Sequence, residues 1–413
     1  MKDSGIEWIG EIPSTWNTVR FKYLHDGLNT GEAIDKEFWS KEESDLVFYT
    51  AGLTPIRTKY LDFPLWKFTQ ANDILLARNG TPYVYFPTVG ACYTDHIIRA
   101  SMKQNVNRRF VQYALQQSIA SVVVDSVSIA TWSASLWNAQ YLPWPTEEEQ
   151  NRIVDFLDHK CAEIDSVIAK TQRTIEEYKS LKQSIITEAV TKGVRGERPM
   201  KDSGIEWIGE IPVEWEVTKF KKLGYCRNGL TYSPENQCGE EGTLVLRSSN
   251  IQNGMLDFSD CVYVNCSVRD DLMVRPNDIL ICSRNGSAKL IGKNAIIPDG
   301  LKASFGAFMM IYRCQSPKYI QYVLSSHIFS YYLGTFLTVS VNQLTGKNFD
   351  NIQFPYTDDY LEQEEIITYL DKKCSEIDRL IESKQQLLIE LESYKKSVIY
   401  EYVTGKKEVP VCQ

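Results

Sequence analysis

EQNRIVDFLDHKCAEIDSVI, residues 149–168, returns as EQEEIITYLDKKCSEIDRLI at residues 362–381. The match runs without a gap from 149–192 onto 362–405 at a shift of 213 residues, and 20 of the 44 positions are identical. A repeat of about half the chain's length implies that one structural unit has been built twice. Both copies read as long helices. In the first, a three-four stripe falls on Cys161, Ile164, Ile168, Thr171, Ile175, Tyr178, Lys182 and Ile185, with no Gly or Pro before Gly193. The second places Cys374, Ile377, Ile381, Lys384, Leu388, Leu391, Lys395 and Val398 at the same positions. A narrow apolar seam on a charged rod needs a partner helix. A helix lying on a globular domain is the other reading of such a stripe, but the length and the matching seam elsewhere in the chain speak against it.

Outward from the helices, the duplication continues. Residues 1–13 (MKDSGIEWIGEIP) recur unchanged at 200–212. Within this anchor, Trp8, Ile9 and Ile12, with Trp16 just beyond, form an apolar cluster in a Gly- and Pro-containing run, which predicts docking on a rigid surface. The segments that follow diverge, yet Asn72-Asp73-Ile74-Leu75 answers Asn277-Asp278-Ile279-Leu280, and Arg78-Asn79-Gly80 answers Arg284-Asn285-Gly286. Gln112-Tyr113 pairs with Gln321-Tyr322, and Asn138, Leu142 and Pro145 with Asn348, Ile352 and Pro355. The offset climbs in one direction, from 199 to 213, as expected of one fold with small insertions. Strand-like runs (74–77, 278–282), helical runs (109–117, 318–327) and turns at Asn79-Gly80, Asn253-Gly254 and Asn285-Gly286 predict mixed α/β domains.

The expected fold class is therefore two tandem α/β (α+β) domains and a long antiparallel two-helix coiled coil, related by a pseudo-two-fold axis. Its expected segments are anchor plus domain one (1–148), helix one and linker (149–198), anchor plus domain two (199–361), and helix two with a C-terminal tail (362–413). Helix one delivers the chain to domain two, so helix two must run back if the seams are to meet. The C-terminus then returns to domain one. A rod of about 40 residues is about 60 Å long, under two turns of B-DNA.

Composition bounds the function. The chain has 413 residues, 43% hydrophobic and 24% charged, and a net charge of −8 that is close to balance in every segment, so bulk charge does not announce nucleic acid. There is no apolar run long enough for a membrane span and no apolar signal region after Met1, which predicts a cytoplasmic protein without membrane contact. Ten cysteines without a Cys-x-x-Cys pair argue against zinc, and Cys161 and Cys374 are expected as reduced, small apolar seam residues.

The doubled anchor, the helix-opening Glu149-Gln150-x-x-Ile153 and Glu362-Gln363-x-x-Ile366, and the domain-helix-domain-helix order resemble the specificity subunits of Type I restriction-modification systems over essentially the full length. The resemblance implies two target-recognition domains, each reading one half of an asymmetric bipartite sequence in double-stranded DNA. It implies a helix pair that sets the spacing and docks two methyltransferase subunits, and restriction/translocase subunits as further partners. S-adenosylmethionine, ATP and Mg would then be used by those partners and not by this chain.

No metal site and no catalytic motif is legible in the chain: a phosphate loop, an Asn/Asp-Pro-Pro-Tyr/Phe motif and a Gly-x-Gly-x-x-Gly run are missing, and His25, His96, His159 and His327 do not cluster in sequence. A non-catalytic subunit is the expectation. Base edges are read by Arg, Lys, Asn and Gln, and the DNA backbone is held by Ser, Thr, Tyr and Lys. The candidates in domain one are Thr50, Arg57, Lys59, Arg78, Asn79, Tyr83, Thr131, Trp132 and Ser133. In domain two they are Arg247, Ser248, Ser249, Asn250, Arg284, Asn285, Lys289, Asn342, Gln343 and Lys347. Retention of Arg-Asn-Gly in both copies also fits simple turn chemistry, so positions that differ between copies are the better specificity candidates. A coiled-coil adaptor that joins proteins without reading DNA is the alternative function.

Overall fold

The computed structural model describes residues 1–79, 82–122, 131–336 and 342–410. It divides into two compact units, Met1–Gln172 with Gln386–Gln413, and Arg173–Gln385. The cuts fall inside the long helices Glu147–Lys192 and Tyr360–Val403, because each half-helix packs with the domain beside it.

In the first unit the anchor folds as a hairpin, Lys2–Asp3 against Glu11–Ile12, with Gly5 and Gly10 at positive φ (72° and 63°). Strand Asn17–Arg20 then pairs with Tyr141–Trp144, clamping the start of the domain to its end. Between them lie two four-stranded sheets. One is antiparallel, in the order His25–Thr30, Ile97–Met102, Asp73–Ala77, Val84–Tyr85. The other runs Cys92–Tyr93, Leu46–Tyr49, Ile56–Thr58, Trp39–Ser40, and its first pair is parallel. Ile9, Ile12 and Trp16 of the anchor are buried with Phe110 and Trp137 of the domain, Ile153, Leu157 and Cys161 of the first helix, and Val398, Ile399 and Val403 of the second. At about 1.5–3 kcal/mol for each large apolar side chain removed from water, this shared core is what fixes the anchor.

The second unit repeats the anchor hairpin, the clamp and both four-stranded sheets of the first. Its anchor hairpin pairs Met200–Asp202 with Glu210–Pro212, and its clamp pairs Glu216–Lys219 with Gln353–Tyr356. The antiparallel sheet runs Gly224–Asn228, Met309–Cys314, Ile279–Cys282, Asn294–Ile296. The other sheet runs Ala303–Phe305, Thr243–Leu246, Tyr263–Val264, Gln237–Cys238, again with a parallel first pair. An added hairpin, Ile251–Gln252 with Met255–Leu256, turns at Asn253-Gly254, both at positive φ, as the dipeptide predicts.

Within each unit the two helix segments are antiparallel. In the first, the Phe156 and Tyr402 rings lie 4.4 Å apart and Lys395 Nζ is 2.6 Å from Asp165 Oδ1. In the second, Lys182 Nζ lies 2.7 Å from Asp378 Oδ2, while Arg195 and Arg198 each reach 2.6 Å to Glu365 and Glu362. The two lysine–aspartate pairs are equivalent under the 213-residue shift. Cys161, Ile164, Ile175, Cys374, Ile377 and Val398 are buried, and Ile168, Tyr178, Ile185, Ile381, Leu388 and Leu391 are half-buried. The helices begin earlier than the repeat suggests. Thr146 and Glu149 form a reciprocal capping box, so the first helix opens at Glu147.

The helix-opening Glu-Gln has a physical role in both copies. Trp16 Nε1 donates to Glu149 (3.2 Å) and Trp215 Nε1 to Glu362 (3.1 Å). Gln150 Nε2 donates to the Pro145 carbonyl and Gln363 Nε2 to that of Thr357. Each domain is also tied to its helix, since Tyr113 and Arg109 hold Asp158 while Tyr322 and Lys318 hold Asp371. Burial and the neighbouring carboxylate push both tyrosine pKa values up, so the hydroxyls remain donors.

Glu362 is almost fully buried in an ion pair with Arg198, whereas Glu149 is half-buried and makes no ion pair among the described residues. Glu362→Ala is therefore expected to cost about 3 kcal/mol or more, and Glu149→Ala about 1 kcal/mol, in denaturant unfolding followed by tryptophan fluorescence. Arg195 holds the Asp359 and Glu365 carboxyls below their usual range. A depressed folded-state pKa gives stability present above the unfolded pKa and lost as pH falls through the folded one. Arg195→Ala should accordingly flatten the fall in melting temperature on acidification.

Candidate nucleic-acid interface

In both units an inner strand of the antiparallel sheet, Asp73–Ala77 or Ile279–Cys282, leads into the retained arginine. The Arg78 N–H donates to the His96 carbonyl (2.8 Å), and the Arg284 N–H donates to that of Phe308 (3.0 Å). His96 and Phe308 immediately precede the neighbouring strands Ile97–Met102 and Met309–Cys314. A sequence-distant segment then closes on the same place. The Trp132 N–H donates to the Arg78 carbonyl (2.7 Å), and in the second unit Arg284 and Gln343 form an antiparallel bridge. Thus the fold brings 78–79 together with 131–133, and 284–285 with 342–343, at the exit of equivalent strands.

Around Arg78, the Ala77 N–H donates to the Tyr83 carbonyl, and Tyr83 packs edge-on to Tyr85 at 4.8 Å. Tyr85 Oη donates to the Thr50 and Gly52 carbonyls. Burial, then Tyr83, pushes its pKa up to about 12, so it stays protonated. Asn79 is bonded to His96 Nδ1 at 2.7 Å. Around Arg284, Asn285 Nδ2 donates to Ser248 Oγ and Asn342 Nδ2 to the Gly286 carbonyl, both at 3.1 Å. Arg247 pairs with Asp260 (2.7 Å). Arg247, Ser248, Ser249 and Phe308 line an open cleft of about 570 Å³, with Tyr232 on its wall.

Several expected contacts are corrected. Trp132 is 3% exposed, its ring 5.0 Å from Trp137, because an indole at this position completes the domain's core. Ser133 caps helix Ala134–Ala139 by accepting from the Leu136 N–H. Asn250 is fully buried, donates to the Asp257 and Asp260 carbonyls and accepts from the Arg247 N–H, so it holds a turn. Arg57 is spent on the Asp45 carbonyl (2.9 Å) and, with exposed Lys59, lies on or beside the second sheet; no hydrogen bond or ion pair among the described residues joins them to the Arg78 group. Gly80 lies outside the described residues.

In a chain of net charge −8, cations without partners matter most. Arg78, Lys59, Arg284, Lys289 and Lys347 are exposed, and none makes an ion pair among the described residues. Reasoning from sequence missed Phe308, which is 58% exposed, and His96. Their signal was that a strand-preceding position carries different rings in the two copies. Among the described residues no group of His, Cys, Asp or Glu could hold a metal ion, and no helix is long and apolar enough to cross a membrane.

Two α/β heads of identical topology, each fastened to antiparallel segments of two long helices, define a duplicated scaffold that presents two different polar surfaces. No family model matches the sequence. The chain is 28% identical over 208 residues to the StySPI specificity subunit of a Type I restriction enzyme from Salmonella potsdam, and 26% identical over 206 residues to the EcoKI specificity subunit from Escherichia coli K12. Those matches cover 48% of this chain and 44% of each relative, so the aligned region spans under half the length of either. A longer match, 84% of this chain and 78% of the relative at 23% identity, is to the MjaVIII specificity subunit of Methanocaldococcus jannaschii. A solved structure from work on complex assembly and conformational transition of the type I R-M system shares the fold at TM-score 0.68 and 14% identity, covering 96% of this chain and 100% of that one. The chain is thus similar in sequence to several Type I restriction-enzyme specificity subunits, and similar in fold to that solved structure.

The division between structural and free candidates is testable. Asn250→Ala and Trp132→Ala are expected to lower unfolding free energy by about 2–4 kcal/mol. Arg78→Ala, Lys289→Ala and Lys347→Ala should stay within about 0.5 kcal/mol of the parent.

Proposed function

We propose that this chain supplies sequence specificity to a Type I restriction-modification complex, with each domain reading one half of an asymmetric bipartite site in double-stranded DNA. The observation that carries the reading is the contrast between the copies. The ties that build the scaffold are the same in both, from the tryptophan–glutamate bond to the lysine–aspartate pair. The surface at the strand exit differs, His96 with Thr131 in one copy and Phe308 with Gln343 in the other. A common scaffold carrying two unlike readers is what an asymmetric target requires.

On this reading the helix pair sets the distance between half-sites and docks two methyltransferase subunits, since a duplicated shaft offers two equivalent surfaces. Methyl transfer from S-adenosylmethionine and ATP- and Mg-dependent translocation and cleavage belong to the methyltransferase and restriction subunits, and this chain is non-catalytic. The site of action is the cytoplasm. Balanced surface charge fits a reader that depends on those partners for much of its affinity for the DNA backbone.

Replacing residues 24–146 with the corresponding domain of another family member tests the reading. Methylation mapping in cells that also carry the methyltransferase subunit should show one half of the motif changed and the other half intact. An unchanged motif, or change in both halves, would sink it; a complex with no sequence preference would favour a protein-joining adaptor.

A further inference from the structure

We propose that Arg284, braced on the Phe308 ring, reads a guanine in the half-site of domain two, and that the 96/308 position sets how the two domains use their shared arginine. The inference rests on the reading of these domains as DNA target-recognition domains.

Of the polar groups gathered at this strand exit, most are already committed. Asn285 is held at both ends of its amide, by Ser248 Oγ and by the Ser287 N–H, and Asn342 donates to the Gly286 carbonyl. Arg247 is paired with Asp260. Arg284 is different. It is exposed, makes no ion pair among the described residues, and its guanidinium carbon sits 5.2 Å from the centroid of Phe308. That ring is itself 58% exposed at the edge of the cleft, an arrangement a soluble surface does not need for its own stability.

A guanidinium lying over an aromatic face has its plane fixed and one face shielded, while the N–H edge stays open. Two parallel donors in a fixed plane match the O6 and N7 acceptors that guanine presents in the major groove. The backbone around the arginine is equally fixed, because its N–H is bonded to the Phe308 carbonyl and it is bridged to Gln343. Residues directly opposite in such a bridge present their side chains on one face, so Gln343 stands beside Arg284. On the cleft wall, Ser249 Oγ is buried and has no hydrogen-bond partner among the described residues.

Domain one keeps the arginine and changes the brace. His96 occupies the position of Phe308, and its Nδ1 is bonded to Asn79 at 2.7 Å. Arg78 is left without an aromatic plane against it among the described residues. Phe308 is thus a positioning residue for Arg284.

The test uses the full chain assembled with its methyltransferase subunits, with methylation mapping for the parent, Arg284→Ala, Phe308→His and Phe308→Tyr. Arg284→Ala is expected to relax one guanine of the half-site read by domain two, with discrimination at that base falling about 5- to 150-fold, the worth of one bidentate contact. The other half-site should be unchanged. Phe308→His should relax the same base by less, and Phe308→Tyr, which keeps the ring, should restore it. With the unaltered complex, 7-deazaguanine placed at each guanine in turn should weaken binding at one position, and that substitution should have no further effect on Arg284→Ala. A uniform loss of binding with the motif intact identifies a phosphate contact and overturns the proposal, as does a motif unchanged in all variants or a half-site without guanine. If the parent complex shows no bipartite motif, the underlying functional reading has failed instead.

Discussion

Everything in this structure depends on the fact that a long helix with a narrow apolar seam cannot bury that seam alone. Cys161, Ile164 and Ile175 on one helix, and Cys374, Ile377 and Val398 on the other, leave water only because the chain supplies both seams and runs them antiparallel within each unit. The rows flanking the seam are charged, and the Lys182–Asp378 and Lys395–Asp165 pairs sit there as equivalents. These exposed pairs add little free energy on their own. Their placement at equivalent positions helps fix register, because sliding one helix past the other would break both.

The second constraint is orientation of the domain on the helix. An indole N–H pointed at a glutamate in the first turn of each helix, and a tyrosine hydroxyl pointed at an aspartate two turns and more further along, hold each head at two points. With the framework held so firmly, the residues at the strand exit are free to differ. On the proposed reading, substitution at positions such as 96 and 308 would change specificity without disturbing the scaffold.

What could be read from the sequence followed from repetition. A residue retained in two copies for a structural reason betrays itself, and so the seams, the anchors and the Glu-Gln motif were legible together with the fold class. Where the copies diverge, only local chemistry was available, and it misled in identifiable ways. Thr131-Trp132-Ser133 has the composition of a stacking surface, yet the indole faces inward and the serine caps a helix. Asn250 has the side chain of a base reader, but its burial and three hydrogen bonds make it part of a turn. Phe308 escaped because the offset between copies shifts between the central strand and its neighbour, so the correspondence with His96 emerges only from strand pairing.

The compact units and the order of synthesis are out of step. The second unit is a single continuous stretch, Arg173–Gln385, while the first draws on Gln386–Gln413 to cover Ile9, Ile12 and Trp16. On the ribosome, the first head must therefore wait for the helix segment beyond residue 386 to seal its interior, and the second head closes before it. A frameshift or nonsense codon near residue 386 would for that reason strike hardest at the head made earlier.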